Sequence, residues 1–261
     1  MRALLLALLF CLSGSLHASA FDHTHQQWSA LLARHVTWID QGVASEVDYP
    51  SFINDRPELE AYLTSLTNVP RAQYDTWASE QRLAFLINAY NAFTLKLVIT
   101  HYPVESIKDI GGLFGNPWKQ AFIPLLGQTL TLDQLEHSMI REPGVFDEPR
   151  IHFAVNCASV GCPALRNEAF IAARLDEQLE DSQKRFLSDP SRNRFDPTRQ
   201  RFQVSKIFDW YGEDFAKRWG SLQAYLLQQT PIISDPQHAP TRESVLEVEF
   251  MDYDWSLNQS G

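Results

Sequence analysis

"SEQRLAFLINAYNAFTLKLVITHYP", residues Ser79 to Pro103, decides how the fold is read. Between Ser79, a residue suited to cap a helix, and Pro103, which cannot continue one, runs an unbroken helical pattern. Leu83, Ile87, Tyr90, Phe93, Leu97 and Val98 are its core positions, yet apolar side chains fill nearly the whole circumference, so the helix is expected to lie centrally. Asn88 and Asn91 sit one turn apart on it, and a buried amide needs partners. Either they satisfy loop backbone in the interior, or one of them orients a catalytic group.

On the N-terminal side, residues 23–41 place Trp28, Leu31, Leu32, His35, Trp38 and Ile39 at helical spacing, with Gly42 as a stop. Residues 1–20, with Arg2, an apolar run from Ala3 to Leu12 and the ending Ala18-Ser19-Ala20, have the layout of a cleavable export signal. The run is too short to span a bilayer, and no run of eighteen apolar residues follows it, so no membrane span is expected. A mature chain would start at Phe21, without Cys11, and reside in the periplasm or outside the cell.

On the C-terminal side, residues 121–131 form a hairpin pattern around Gly127-Gln128, and Thr131 with Gln134 makes a capping box for a helix bearing Leu132, Leu135, Met139 and Ile140. In 150–156, Ile151, Phe153 and Val155 alternate with His152, Ala154 and Asn156, the period of a half-buried strand. A long amphipathic helix is expected over 167–187, a strand at 201–207, helical turns at 208–220, a helix near 221–229 and a closing strand at 245–255. Helices mixed with antiparallel-looking strands indicate one α+β domain over 21–261, helices packed on a small, largely antiparallel sheet.

The net charge of −10 has no local basic run to offset it, which argues against nucleic acid as a partner. With 44% apolar residues the composition is globular, and no internal repeat suggests a solenoid. His23, His25 and His238 fall in expected surface segments. The sequence carries no signal of oligomeric state.

Chemistry concentrates in "RIHFAVNCASVGCPAL", residues 150–165. In an exported chain, Cys157 and Cys162 could form a structural disulfide whose short loop contributes roughly 2 kcal/mol. Alternatively, Cys157 lies at the end of a buried strand and is followed by small residues, a suitable place for a nucleophile of acyl chemistry, provided that a base draws off its proton. His137 is the favoured base. His152 would stand roughly 16 Å away along an extended strand, and Glu136 points about 100° from His137, so Asn88, Asn91 or a distant carboxylate would have to orient the imidazole. One cysteine pair with scattered histidines is a weak zinc signal, and the spacing is not that of a C-x-x-C redox pair, so neither metal nor cofactor is expected. Arg141, Arg150, Asp209 and Tyr211 could rim an anion site or simply form caps and surface ion pairs.

Five ordered blocks, "LAFLINAYNAFTLKLVI", "LDQLEHSMIR", "IHFAVNCASVGCPAL", "SKIFDWYGEDF" and "YDWSLN", resemble the motif set of the bacterial and plant family catalogued as domain of unknown function 547, over about residues 30 to 258. In plant members the position matching Cys162 is often serine, so the resemblance singles out Cys157. The rhythm of "QRLAFLINA" is also similar to the central helix of papain-like and transglutaminase-like enzymes, with Arg82 or Leu83 where those carry their nucleophile. It implies such an arrangement as an alternative fold. Two functions follow as expectations. One is a cysteine-dependent hydrolase or acyl transferase acting on a peptide-like or acyl bond of the cell envelope. The other is a non-catalytic binding or scaffold domain with a Cys157–Cys162 disulfide.

Overall fold

The structure is a computed structural model that describes residues 21–112, 115–241 and 246–261. The expected export signal, 1–20, lies outside the described residues. Helices α1 (Gln26–His35), α2 (Tyr49–Asn54), α3 (Arg56–Thr67) and α4 (Arg71–Tyr74), with the hairpin β1 (Val36–Ile39) and β2 (Ala44–Val47), surround α5 (Ser79–His101). Then come the hairpin β3 (Ile123–Leu125) and β4 (Gln128–Leu130), α6 (Leu132–Leu135) and α7 (Leu175–Leu187). The C-terminal part contributes β5 (Arg194–Asp196), β6 (Arg201–Val204), α8 (Ile207–Trp219), α9 (Leu222–Gln228), α10 (Thr230–Ile233) and β7 (Glu247–Phe250). In its only three-stranded sheet among the described residues, β6 pairs antiparallel with β5 and parallel with β7. The α+β reading holds.

Every residue of α5 from Leu83 to Leu95 is buried. Among the described residues it is the one helix long and apolar enough to cross a membrane, but it serves as the core around which the rest packs. Its start is held by the Gln81 side chain, which accepts from the Ala78 N–H at 3.0 Å, so the cap lies one residue before Ser79. A second core gathers α7, α8, α9 and the three-stranded sheet around Phe153, Phe186, Phe208, Phe215 and Tyr225.

Several local expectations need correction. The helix expected over 23–41 stops at His35, because Val36 to Ile39 turn into a strand paired with β2. The turn of the second hairpin is Leu126-Gly127, both left-handed at φ 52° and 79°, and not Gly127-Gln128. Residues Pro149–Phe153 form a 3-10 helix and not a strand: the segment is buried on all sides, so its alternation never reflected one wet face. The helix expected from 167 begins at Leu175.

His25 is another correction, since it is 2% exposed and its Nδ1 lies 2.7 Å from the Tyr62 hydroxyl. Burial pulls its pKa down to about 4, against the opposing charge of Asp22. The native state therefore refuses a proton that the unfolded chain accepts near pH 6.5. The stability that neutral His25 preserves is complete above that pH and is lost as pH falls towards 4, by roughly 3 kcal/mol. Denaturation midpoints measured from pH 7 to 4 should fall less steeply in His25→Asn, which tolerates the same left-handed backbone. An unchanged slope would remove His25 from the account of acid sensitivity.

Candidate active site

A cleft of about 290 Å³ opens where α5, the segment after α6, the 3-10 helix, α8 and the segment after β7 meet, and Cys157, Cys162, Glu136, His137 and His152 all line it. Asn88 and Asn91 are buried and do not line it. Asn91 Oδ1 accepts from the Asn156 N–H at 2.8 Å and its Nδ2 donates to the Ala154 carbonyl at 3.0 Å. Asn88 clamps Phe170 in the same two-handed way, at 3.0 Å and 2.7 Å. Both amides thus hold backbone, and Asn91 fixes the residues that lead into Cys157.

The cysteine loop is strapped from the other side. Val160 and Gly161 donate to the carbonyls of Ser256 and Asp254, both at 2.8 Å. A Cβ on Gly161 would lie 2.9 Å from the Asp254 oxygen and 3.0 Å from the Tyr253 ring, so only glycine lets the loop pass this close. Ala158 adopts φ 62°, a strained conformation for a residue with a side chain, held by its N–H bond to Asn156 Oδ1 at 2.8 Å. Cys157 and Cys162 are joined in a disulfide with their Cα atoms 6.3 Å apart. The Tyr253 hydroxyl stands 3.2 Å and 3.1 Å from the two sulfurs, and Ser159 Oγ is 3.1 Å from Cys157 Sγ.

The segment after α6 winds into a π-turn, Glu136–Ile140, a wider coil found often at functional sites. It buries Glu136 and leaves His137 part-exposed on the cleft wall. The Arg141 guanidinium donates to His137 Nδ1 at 2.7 Å. Since Nδ1 accepts, the proton of a neutral His137 sits on Nε2, and that nitrogen can donate but not take a proton.

His152 is arranged the other way round. Its Nε2 meets Asp214 Oδ2 at 2.9 Å, and a carboxylate only accepts, so Nε2 carries the hydrogen. Nδ1 is buried and has no partner among the described residues. Burial lowers the pKa of His152, against the raising influence of the Asp214 bond, which keeps the ring neutral with its lone pair on Nδ1. Burial alone would raise the pKa of Asp214, but the bonds from His152 and Arg141, the latter at 2.7 Å, hold it far below the ordinary carboxylate range. The His152 ring stacks on Tyr211, centroids 4.0 Å apart.

The distance argument that set His152 aside at the sequence level assumed a strand. In a 3-10 helix the chain advances only about 2 Å per residue, and the two residues share one cleft. Arg150 lines no part of the cleft and is occupied by Glu148 at 2.7 Å and Asp176 at 2.8 Å. Asp209 pairs with Lys206 at 2.7 Å. Sequence reading missed Asp214, Tyr253 and Tyr90. The spacing of Trp210, Tyr211 and Asp214 on one helix was a legible hint for the first.

Residues 74–187, which contain α5, the π-turn and both cysteines, match the family described as "Protein of unknown function, DUF547". This region belongs to that family. The matched region ends before α8 and the C-terminal segment, so Tyr253, which lines the cleft, and Asp214, which bonds to His152, both lie outside it. No curated protein and no solved structure gives a significant match, and the papain-like or transglutaminase-like arrangement is unconfirmed.

Proposed function

We propose that the cleft is the active site of a thiol-dependent hydrolase or acyl transferase, with Cys157 as nucleophile, His152 as base and Asp214 as the group that orients His152. The observation that supports this most is the His152–Asp214 pair, which leaves a neutral imidazole with a buried, unpartnered Nδ1 on a residue that lines the same cleft as Cys157. His137, with Nε2–H as a donor, suits stabilisation of a developing oxyanion better than proton abstraction.

The disulfide is the resting form. A dithiol, itself oxidised to a disulfide, supplies two electrons and two protons and opens Cys157–Cys162 to a pair of thiols. The Cys157 proton then passes to His152 Nδ1, the sulfur adds to an acyl carbonyl, and the leaving amine or alcohol departs with that proton. Water or an acceptor amine cleaves the thioester and restores the thiol. Hydroxyls of Tyr253 and Ser159, within 3.2 Å of Cys157 Sγ, would favour the thiolate. The setting we propose is the cell envelope, reached through a leader over residues 1–20.

Incubating the reduced protein with a p-nitrophenyl ester should give one acyl adduct, found by mass spectrometry on the peptide containing Cys157. The oxidised protein should give none, and His152→Gln should form the adduct about a hundredfold more slowly. The intact disulfide favours a second reading, a binding domain in which the bond is structural. An unmodified Cys157 in the reduced, folded protein would decide for it.

A further inference from the structure

Seven side chains close a ring around the mouth of the cleft. The Tyr211 ring meets Trp210 at 6.5 Å, Trp210 meets Tyr253 at 4.9 Å, Tyr253 meets Trp255 at 4.5 Å and Trp255 meets Trp118 at 5.7 Å. Trp118, Tyr90, Glu136 and Tyr211 line the same cleft, and the Glu136 charge beside Tyr90 and Tyr211 adds to the rise that burial gives both phenols, which completes the circuit. The rings are not a flat platform: the Tyr211–Trp210 and Trp255–Trp118 pairs are near perpendicular, at 85° and 73°. A sugar ring stacks best on a flat face, whereas faces set at steep angles enclose a compact group on several sides.

What such a collar attracts is set by its charge. Aromatic faces are electronegative, and the one group that interrupts them is Glu136, which is 6% exposed. No Lys or Arg nitrogen lies within 4 Å of its carboxylate among the described residues. The nearest ring nitrogen, His137 Nδ1 at 4.0 Å, is already accepting from Arg141. Asp133 on the rim adds a second carboxylate, and the chain as a whole carries a net charge of −10. Two cations already use the collar: Lys108 Nζ sits 3.7 Å over the Trp255 ring and the Arg141 guanidinium 4.7 Å over the Tyr211 ring. His152, whose buried Nδ1 has no partner among the described residues, also lines the cleft.

We infer that the cleft binds its ligand through an alkylammonium group, seated against Glu136 and enclosed by the faces of Trp210, Tyr253 and Trp255. On the reading of Cys157 given above, on which this extension to substrate rests, the substrate is an acyl compound that bears an amine, its ammonium in the collar and its carbonyl at the sulfur. The ammonium contributes by cation–π attraction and by pairing with a carboxylate that the protein leaves without a cation of its own.

Calorimetric titration of Cys157→Ser protein tests the collar without thiol chemistry, so a failure of the nucleophile reading leaves this result standing. Tetramethylammonium and Nα-acetyl-lysine methylamide are the cationic probes, neopentyl alcohol and methyl glucoside the neutral ones. At least one cation should bind about tenfold more tightly than either neutral probe. Preference for the lysine derivative would identify a primary amine, such as a peptide side chain, as the source. Preference for tetramethylammonium would identify a choline-type headgroup. Glu136→Gln should weaken the cation by about tenfold, and Trp210→Ala, a change at a side chain 43% exposed, should weaken it without disturbing the fold. Equal binding of neutral and cationic probes, binding of none, or full affinity in both variants would overturn the inference.

Discussion

Replacing Asn91 with leucine is expected to destabilise the fold by about 4 kcal/mol. The volume is nearly kept, but the Asn156 N–H and the Ala154 carbonyl lose their partner in a region that water does not reach. A buried donor or acceptor left unmade costs roughly 1–3 kcal/mol, and here there is one of each. The loss should show as a lower urea midpoint with an unchanged slope, the sign of altered stability without altered compactness. Because the freed backbone lies immediately before Cys157, the same substitution should also loosen the cysteine loop. A shift under about 1 kcal/mol would mean that other contacts hold this segment.

How much of this was legible in the sequence depends on how local each signal is. The central helix, the capping box at Thr131 and Gln134 and the second hairpin were readable because their causes lie within a few residues. The two asparagines were readable as buried amides in need of partners, though not which backbone they hold, because those bonds span 63 to 82 residues. Alternation in 150–156 misled because a segment buried on every side can show any period. The π-turn left no mark in residue type, and it is this turn that sends Glu136 inward beside an outward His137. His25 looked like a surface residue because what buries it, Phe21 and Tyr62, comes together only in the fold. Tyr253, 96 residues from Cys157, is a product of tertiary structure alone. The family match carries no assigned activity, so the case for chemistry rests on these through-space contacts.

The largest kinetic effect is expected at His152. With its Nδ1 available as a base and two hydroxyls near the sulfur, Cys157 in the reduced protein should ionise below the ordinary thiol value of about 8.5. His152→Gln removes the base while keeping an amide able to bond to Asp214, so it separates loss of proton transfer from loss of packing. Asp214→Asn leaves the ring in place but removes the charge that fixes its tautomer, and should act in the same direction. The most direct test is the rate of iodoacetamide alkylation of Cys157 against pH, read peptide by peptide in fully reduced, folded protein. The account predicts an apparent pKa below 8.5 for the native sequence, moved up towards that value in His152→Gln, with the rate at pH 7 lower by about tenfold or more. Superimposable profiles, or a Cys157 that resists alkylation until the protein unfolds, would contradict it.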